Sequence, residues 1–247
     1  MSQAPTAPRP SYRPVTCTIW VADPTNMSPT LVSGLTPTEQ QRRSRLVQAA
    51  DKDRFTAGAV LLRHLVAHAT GIAPYAVRVD RRCGRCDGPH GKPTVVGQQV
   101  EVSVSHSERV VAVALTSSSP VGIDVEWMQS RDTTDLARVS LTPDEPLSDT
   151  RDFYRYWCRK EAVTKATGDG LQISPREVVV SPAREPARLY SYQGRSLDCI
   201  MVDVDLASGY AGAVAVLARG ELVPVVRHVE LTELESEHSV AGPTTGP

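Results

Sequence analysis

Two segments hold most of the chain's potential for chemistry. Val121-Gly122-Ile123-Asp124-Val125-Glu126 sets two carboxylates among apolar residues. Trp157-Cys158-Arg159-Lys160-Glu161-Ala162-Val163-Thr164-Lys165 adds a third carboxylate and two lysines. A carboxylate in an apolar segment is costly to bury unless a positive charge pairs with it. A divalent cation held against a polyphosphate would satisfy the acids and the lysines together. The chemistry indicated is magnesium-assisted reaction at a phosphate ester.

The spacing inside each segment favours convergence. Side chains two apart on a strand share a face, so Asp124 and Glu126 project together while Ile123 and Val125 face the core. Gly122 lets another backbone come close. On a helix, Glu161 and Lys165 are four apart and share a face. Each feature alone has a plainer reading. A D-x-E strand face is commonly a solvated edge, and a Glu–Lys pair at i,i+4 is commonly a surface ion pair. Trp157, Ala162 and Ala166 weigh against that by suggesting a packed helix.

Phosphate-binding groups are present as well. Ser105 and His106 stand at the exit of a strand in Ser103-Val104-Ser105-His106-Ser107, and Lys92 lies in Gly91-Lys92-Pro93. Hydroxyl, imidazole and ammonium donors suit phosphate oxygens, although a polar turn would account for Ser105 and His106 equally well. A Ser–His nucleophile pair is disfavoured, because adjacent strand residues point to opposite faces. The chain has no Walker loop and no GxGxxG, which argues against nucleotide binding of those classes.

The positioning elements follow from periodicity and punctuation. Residues 17–21 read as a first strand. Thr36-Pro37-Thr38-Glu39 predicts a capped helix start, with Thr36 as cap and Glu39 completing a capping box. Asp51 or Asp53 caps a second helix over 51–69, closed by Gly71. Residues 80–93, rich in Gly, Cys and Arg, form a loop. Val100, Val102 and Val104 alternate with polar residues as in a strand, and the β-branched run 110–115 predicts a buried strand. A further strand covers 121–127 and a helix 149–167, which Gly168 ends. Residues 178–180, 196–206 and 210–218 supply late strands, with Gly209 in a hairpin turn between the last two. Each half thus has a helix followed by antiparallel strands. The order predicts two similar α+β lobes with a ligand cleft between them.

Composition bounds the rest. The chain has 247 residues, a formal net charge of -1, 40% hydrophobic and 22% charged residues. These values describe a soluble globular protein and give no support for wholesale binding to nucleic acid or membrane. No apolar run is long enough for a membrane span, and the N-terminus does not read as a secretory signal. The five cysteines are an odd number at irregular spacing. They fit a reducing cytoplasm rather than a disulfide framework. Cys83 and Cys86 form a lone CxxC with His90 nearby. A structural zinc site usually needs four ligands, so a loop with two free thiols is the plainer reading. The expected division is a lead-in over 1–14, a first lobe over 15–118, a second over 119–232 and a tail over 233–247.

Gly91-Lys92-Pro93, Ser105-His106-Ser107, Gly122-Ile123-Asp124-Val125-Glu126 and the Trp157–Lys165 helix, in that order, resemble the 4′-phosphopantetheinyl transferases of the surfactin-synthetase type. The resemblance covers residues 36–217. It implies an α+β fold of two pseudo-symmetric lobes, each an antiparallel sheet packed on a long helix, with coenzyme A between them. It implies transfer of the phosphopantetheine arm of coenzyme A to a serine of an acyl, polyketide or peptidyl carrier protein. The other product is adenosine 3′,5′-bisphosphate.

By the same resemblance, Asp124, Glu126 and Glu161 hold magnesium. Glu161, directly or through a water, takes the carrier serine's proton. Lys165 stabilises or protonates the departing phosphate. Ser105 and His106 contact coenzyme A phosphates, and Lys92 and Pro93 lie beside the adenine nucleotide. Arg42 falls at a basic contact to the 3′-phosphate and Arg54 at another basic position of that site. The stretch between Glu126 and Trp157 would meet the carrier. A cytoplasmic monomer is implied, because one chain already holds both lobes. Two other classes remain in view: an inactive coenzyme A-binding regulator on the same fold, and a metal-dependent phosphoesterase. The intact set of Asp124, Glu126, Glu161 and Lys165 argues against the regulator.

Overall fold

A computed structural model describes residues 12–25, 27–86 and 88–235. Most of the lead-in expected over 1–14 and of the tail expected over 233–247 lies outside the described residues. Strand β1 (Val15–Ala22) is followed by helices α1 (Pro29–Ser33), α2 (Pro37–Ser44) and α3 (Ala49–Thr70). Strands β2 (Val79–Asp80), β3 (Thr94–Val95), β4 (Glu101–Ser107), β5 (Val110–Thr116) and β6 (Val121–Trp127) come next. Helices α4 (Thr134–Ser140) and α5 (Thr150–Thr167) precede β7 (Val178–Val180), β8 (Leu189–Tyr192), β9 (Ile200–Asp203), β10 (Tyr210–Val216) and β11 (Leu222–His228).

The strands form a six-stranded sheet in the order β11-β1-β5-β4-β3-β2, a three-stranded sheet β6-β10-β9 and a small β7-β8 pair. Pairing is antiparallel except for β1 with β11. Helix α3 packs on the first sheet and α5 on the second. The fold is therefore α+β, with a long helix on each of the two larger, mainly antiparallel sheets.

Three apolar clusters bind these layers in sequence. Leu61, Leu62 and Leu65 of α3 meet Trp20, Val102 and Val113 on one face of the six-stranded sheet. The opposite face, with Cys17, Ile19, Ala112 and Ala114, meets Ile123, Val125, Val214 and Val216 of the second sheet. Tyr156, Ala162 and Val163 of α5 close over Ala213 and Ala215 on that sheet's far side. The order is helix, sheet, sheet, helix. Strand β5 is buried on both faces, which explains its near-continuous apolar run.

Local signals account for the helix ends. Thr36 and Glu39 form the expected capping box. Gly71 and Gly168 close α3 and α5 in the left-handed conformation, at φ 75° and φ 85°. The predicted cap of α3 is displaced: the helix begins after Gln48, without a side-chain cap. Asp51 lies inside the first turn and pairs with Arg54 at 2.6 Å. The late strand predicted over 196–206 shrinks to Ile200–Asp203. Strand β11 has no counterpart in the sequence expectation. Its Pro224 argues against a central strand, but β11 is an edge, where proline is tolerated.

Gly122 is where α5 lies directly on β6. A Cβ there would stand 1.9 Å from the carbonyl oxygen of Ala162 and 2.5 Å from the backbone nitrogen of Ala166. Both contacts are backbone, so no rotamer change relieves them. Gly122→Ala should push the helix off the strand and cost about 3 kcal/mol or more of stability. A chemical denaturation curve reads this directly, and a midpoint near that of the natural chain would show that the helix can slide.

Candidate active site

The site begins with a serine ladder. Ser103, Ser105 and Ser107 recur at every second position of β4, and their hydroxyls accept backbone N–H groups of β6. The partners are Ile123 at 3.1 Å, Val125 at 3.3 Å and Trp127 at 3.0 Å. These side chains join two strands that belong to different sheets. Two of the hydroxyls also donate to the acids of β6: Ser105 to Asp124 Oδ1 and Ser107 to Glu126 Oε2, both at 2.9 Å. The polar face of β4, which alternation alone would assign to solvent, is instead a seam between the sheets.

Alternation along β6 sends Ile123 and Val125 into the core between the sheets and Asp124 and Glu126 towards α5, as expected. From α5, Lys165 Nζ reaches Asp124 Oδ1 at 2.5 Å and Ser105 Oγ at 3.0 Å. Glu161 lies one turn earlier on the same helix face. Val104, Ser105, His106, Asp124, Glu126, Trp157, Glu161 and Lys165 line one groove of about 240 Å³. Six of the ten residues expected from sequence therefore share one concavity.

The groove strains its acids electrostatically. Burial raises the Glu161 carboxyl above its ordinary range, Asp124 and Glu126 add to the rise, and Lys165 opposes it. Glu126 is also raised, first by burial and then by Asp124, against the Ser107 hydrogen bond and Lys165. His106 opens to solvent at its rim. Even so, lost hydration against the groove wall, followed by the charges of Lys165 and Arg54, holds its imidazole below the ordinary value.

One buried atom bears on what the groove could hold. Asp124 is 4% exposed, and its Oδ2 has no hydrogen-bond partner. An unpartnered carboxylate oxygen beside two further acids suits a hard cation, which takes oxygen donors and keeps waters. The three carboxylates do not all come within 4.8 Å of one another. Among the described residues, only Cys83, Cys86 and His90 meet that distance. Lys165 supplies the positive charge on Asp124 in this arrangement.

The other sequence-predicted residues are not part of the groove lining. Lys92 Nζ donates to the carbonyl of Ala166 at 2.9 Å and pairs with Glu101 at 3.1 Å, so it anchors the C-terminal turn of α5. Pro93 beside it is buried. Arg42 donates to the carbonyl of Pro89 at 3.1 Å and lies over the Phe55 ring. Arg54 donates to the carbonyl of Glu108 at 3.2 Å, near His106. Ser105 is buried and already bonds Val125, Asp124 and Lys165, so contact with a phosphate would require it to release a partner.

Two residues change standing. Lys160, the first lysine of the helix motif, points away from the groove. It is 1% exposed and pairs with the buried Glu145 at 2.7 Å, with the carbonyls of Pro175 and Val178 as further acceptors. It ties α5 to the 142–180 region and takes no part in the groove. Arg81 was not singled out from sequence. Burial and the neighbouring charge of Arg42 push its guanidinium down to about 10. The carboxylate of Glu39 opposes that shift, so the corner gathers two arginines and one acid. Only the basic composition of the 80–93 loop hinted at it.

The chain resembles known proteins in this region and beyond. The family model for the 4′-phosphopantetheinyl transferase superfamily matches residues 120–215, which include Asp124, Glu126, Glu161 and Lys165. The 4′-phosphopantetheinyl transferase HetI of Nostoc sp. is 30% identical over 197 residues, covering 74% of this chain and 80% of that protein. A putative 4′-phosphopantetheinyl transferase of Synechocystis sp. is 27% identical over 157 residues, covering 59% of this chain and 61% of that protein. The L-aminoadipate-semialdehyde dehydrogenase-phosphopantetheinyl transferase of Schizosaccharomyces pombe is 26% identical over 175 residues, 60% of this chain and 64% of that protein.

Proposed function

The chain belongs to the 4′-phosphopantetheinyl transferase superfamily, and on that premise we propose that it moves the phosphopantetheine arm of coenzyme A onto a serine of an apo acyl, polyketide or peptidyl carrier protein. The observation that carries this reading is the groove itself: three acids and a lysine from two facing elements, with one buried acid oxygen unpartnered. The four sequence motifs, in their order, support the surfactin-synthetase type within the superfamily.

In the reaction, the carrier serine oxygen attacks the phosphorus on the pantetheine side of the diphosphate. The P–O bond to the bridging oxygen breaks, and adenosine 3′,5′-bisphosphate leaves. Glu161 takes the serine proton. Its raised carboxyl range brings it closer to neutral pH, where a general base works best. Lys165 meets the departing oxygen and stabilises or protonates it, after giving up Asp124. Asp124, Glu126 and Glu161 would hold magnesium, which would act as a Lewis acid on the diphosphate. Ser105 orients Asp124 and Lys165 and faces the phosphates with His106. Lys92 and Pro93 flank the adenine nucleotide, and Arg42 and Arg54, with Arg81, suit its 3′-phosphate. The rest of the catalysis is positioning in a groove whose walls are already set by the serine ladder and Gly122.

We assign the enzyme to the cytoplasm as a monomer with lobes divided near residue 118. Among the described residues no helix is long and apolar enough to cross a membrane. Strand β11 crosses that division by adding to the first sheet.

Incubation with apo carrier proteins, coenzyme A and magnesium tests the reading by intact mass. A gain of one phosphopantetheine group supports it, and chelation of the metal should stop the gain until magnesium is restored. No gain across fatty acid, polyketide and peptide carriers would favour the regulator, whereas hydrolysis of coenzyme A without a carrier would favour the phosphoesterase. Lys165→Ala should lower turnover more than coenzyme A affinity. An effect confined to affinity would make Lys165 a binding residue.

A further inference from the structure

Cys83, Cys86 and His90 lie in the turn between β2 and β3, and none of them lines the acidic groove. Their Sγ and ring nitrogen atoms all fall within 4.8 Å of one another. Cys86 Sγ is 2.9 Å from His90 Nε2. We propose that these three side chains bind one zinc ion and that the ion clamps the turn leading into Lys92.

Several independent features of the turn fit a metal knuckle. The backbone amides of Arg85 and Cys86 beside the Cys83 sulfur hold its thiol below the ordinary range. The backbone closes on itself through Cys83 N–H to the Gly88 carbonyl at 2.8 Å and Gly91 N–H to the Arg81 carbonyl at 2.7 Å. Two glycines make room for this. A Cβ on Gly88 would stand 3.1 Å from His90 Nε2 and 3.3 Å from Cys86 Sγ. One on Gly91 would stand 2.5 Å from the Arg82 carbonyl oxygen. The loop therefore draws its three candidate ligands together rather than leaving them spread along an open turn.

The donor set selects the ion. Two sulfurs and one imidazole suit zinc, whereas magnesium wants oxygens. Binding would release the two thiol protons and involves no change of oxidation state. The resulting centre, a dication with two thiolates and a neutral imidazole, has no net charge. That matters in a turn containing Arg81, Arg82 and Arg85, which would repel a bare cation. Cys83 is buried, whereas Cys86 and His90 are exposed, so water could reach a bound ion. Three protein ligands fall one short of a closed structural site, and water would supply the fourth donor, as it does in zinc sites with three protein ligands.

The clamp has a structural consequence. Arg42 bonds the carbonyl of Pro89 within the turn, and Lys92 follows directly and holds the end of α5. Fixing residues 83–90 therefore fixes a junction between α2, α5 and the first sheet. Loss of the ion should lower the thermal midpoint and speed hydrogen exchange through 83–92.

The experiment uses the full chain under reducing conditions. Metal content is measured after chelation and after reconstitution with zinc(II), and cobalt(II) serves as a spectroscopic probe. The expected result is one zinc per chain and a tetrahedral cobalt spectrum with thiolate charge-transfer bands. Cys86→Ser and His90→Ala, both at exposed positions, should keep the fold by circular dichroism. Each should weaken metal affinity by more than the ~10–100-fold cost of losing an outer-shell partner. Asp124→Asn should leave zinc content unchanged, which separates this centre from the acidic groove. Substoichiometric zinc, an octahedral cobalt spectrum, or equal uptake by the natural chain and both variants would overturn the proposal. So would a Cys83–Cys86 disulfide that forms in air with zinc present.

Discussion

Asp124→Asn should lower turnover by about a hundred- to a thousandfold or more, leaving the carrier protein largely unmodified over the time in which the natural chain completes transfer. The substitution keeps size and most hydrogen bonding: the carbonyl of the new amide can still accept from Ser105. It removes the charge that faces Lys165 at 2.5 Å and the unpartnered oxygen that suits a cation. Folding should survive, because Lys165 is 28% exposed and can turn to water once its partner is neutral. Magnesium with coenzyme A should raise the thermal midpoint of the natural chain and leave that of the variant nearly unmoved. A variant that transfers at the natural rate would remove the metal role assigned to Asp124. One that transfers slowly yet gains full stabilisation from magnesium would place the ion on Glu126 and Glu161 alone.

Much of this site could be read from the chain because its parts are local. Gly122, Asp124 and Glu126 need only strand alternation, and Glu161 and Lys165 need only helix periodicity. The capping box at Thr36 and the glycine stops at Gly71 and Gly168 are likewise short-range signals. What escaped the sequence depends on partners distant along the chain. Ser105 read as a phosphate-facing or turn residue at a strand exit, yet with Ser103 and Ser107 it stitches β4 to β6 across two sheets. Lys160 looked like a second site lysine, and only the long-range approach of Glu145 shows its structural place. Strand β11 returns to β1 from the far end of the chain in a parallel pairing that no local pattern encodes. Arg81 becomes notable only when the turn folds it towards Arg42.

Glu161→Gln should separate activity from stability in opposite directions. As the proposed base for the carrier serine, Glu161 contributes general base catalysis, and its removal should slow transfer by about a hundred- to ten-thousandfold. The same carboxylate is a burden to the metal-free fold, because burial and the charges of Asp124 and Glu126 raise it on folding. Between the ordinary carboxyl range and the raised one, the folded chain holds a proton that the unfolded chain has released. Stability therefore falls as pH rises through that window and stays lower at neutral pH. Glutamine has no such proton to lose. The metal-free variant should be more stable than the natural chain at neutral pH. The difference should vanish in acid, below the ordinary carboxyl range, where Glu161 is protonated in both states. Magnesium with coenzyme A should reverse the order by neutralising the acids of the natural chain. Paired denaturation curves at neutral and acid pH, with and without the ligands, read all three terms. If the variant proved less stable at neutral pH without metal, the attraction of Lys165 for Glu161 would outweigh its burial among like charges, and the groove would be an ion-pair network rather than a cation trap.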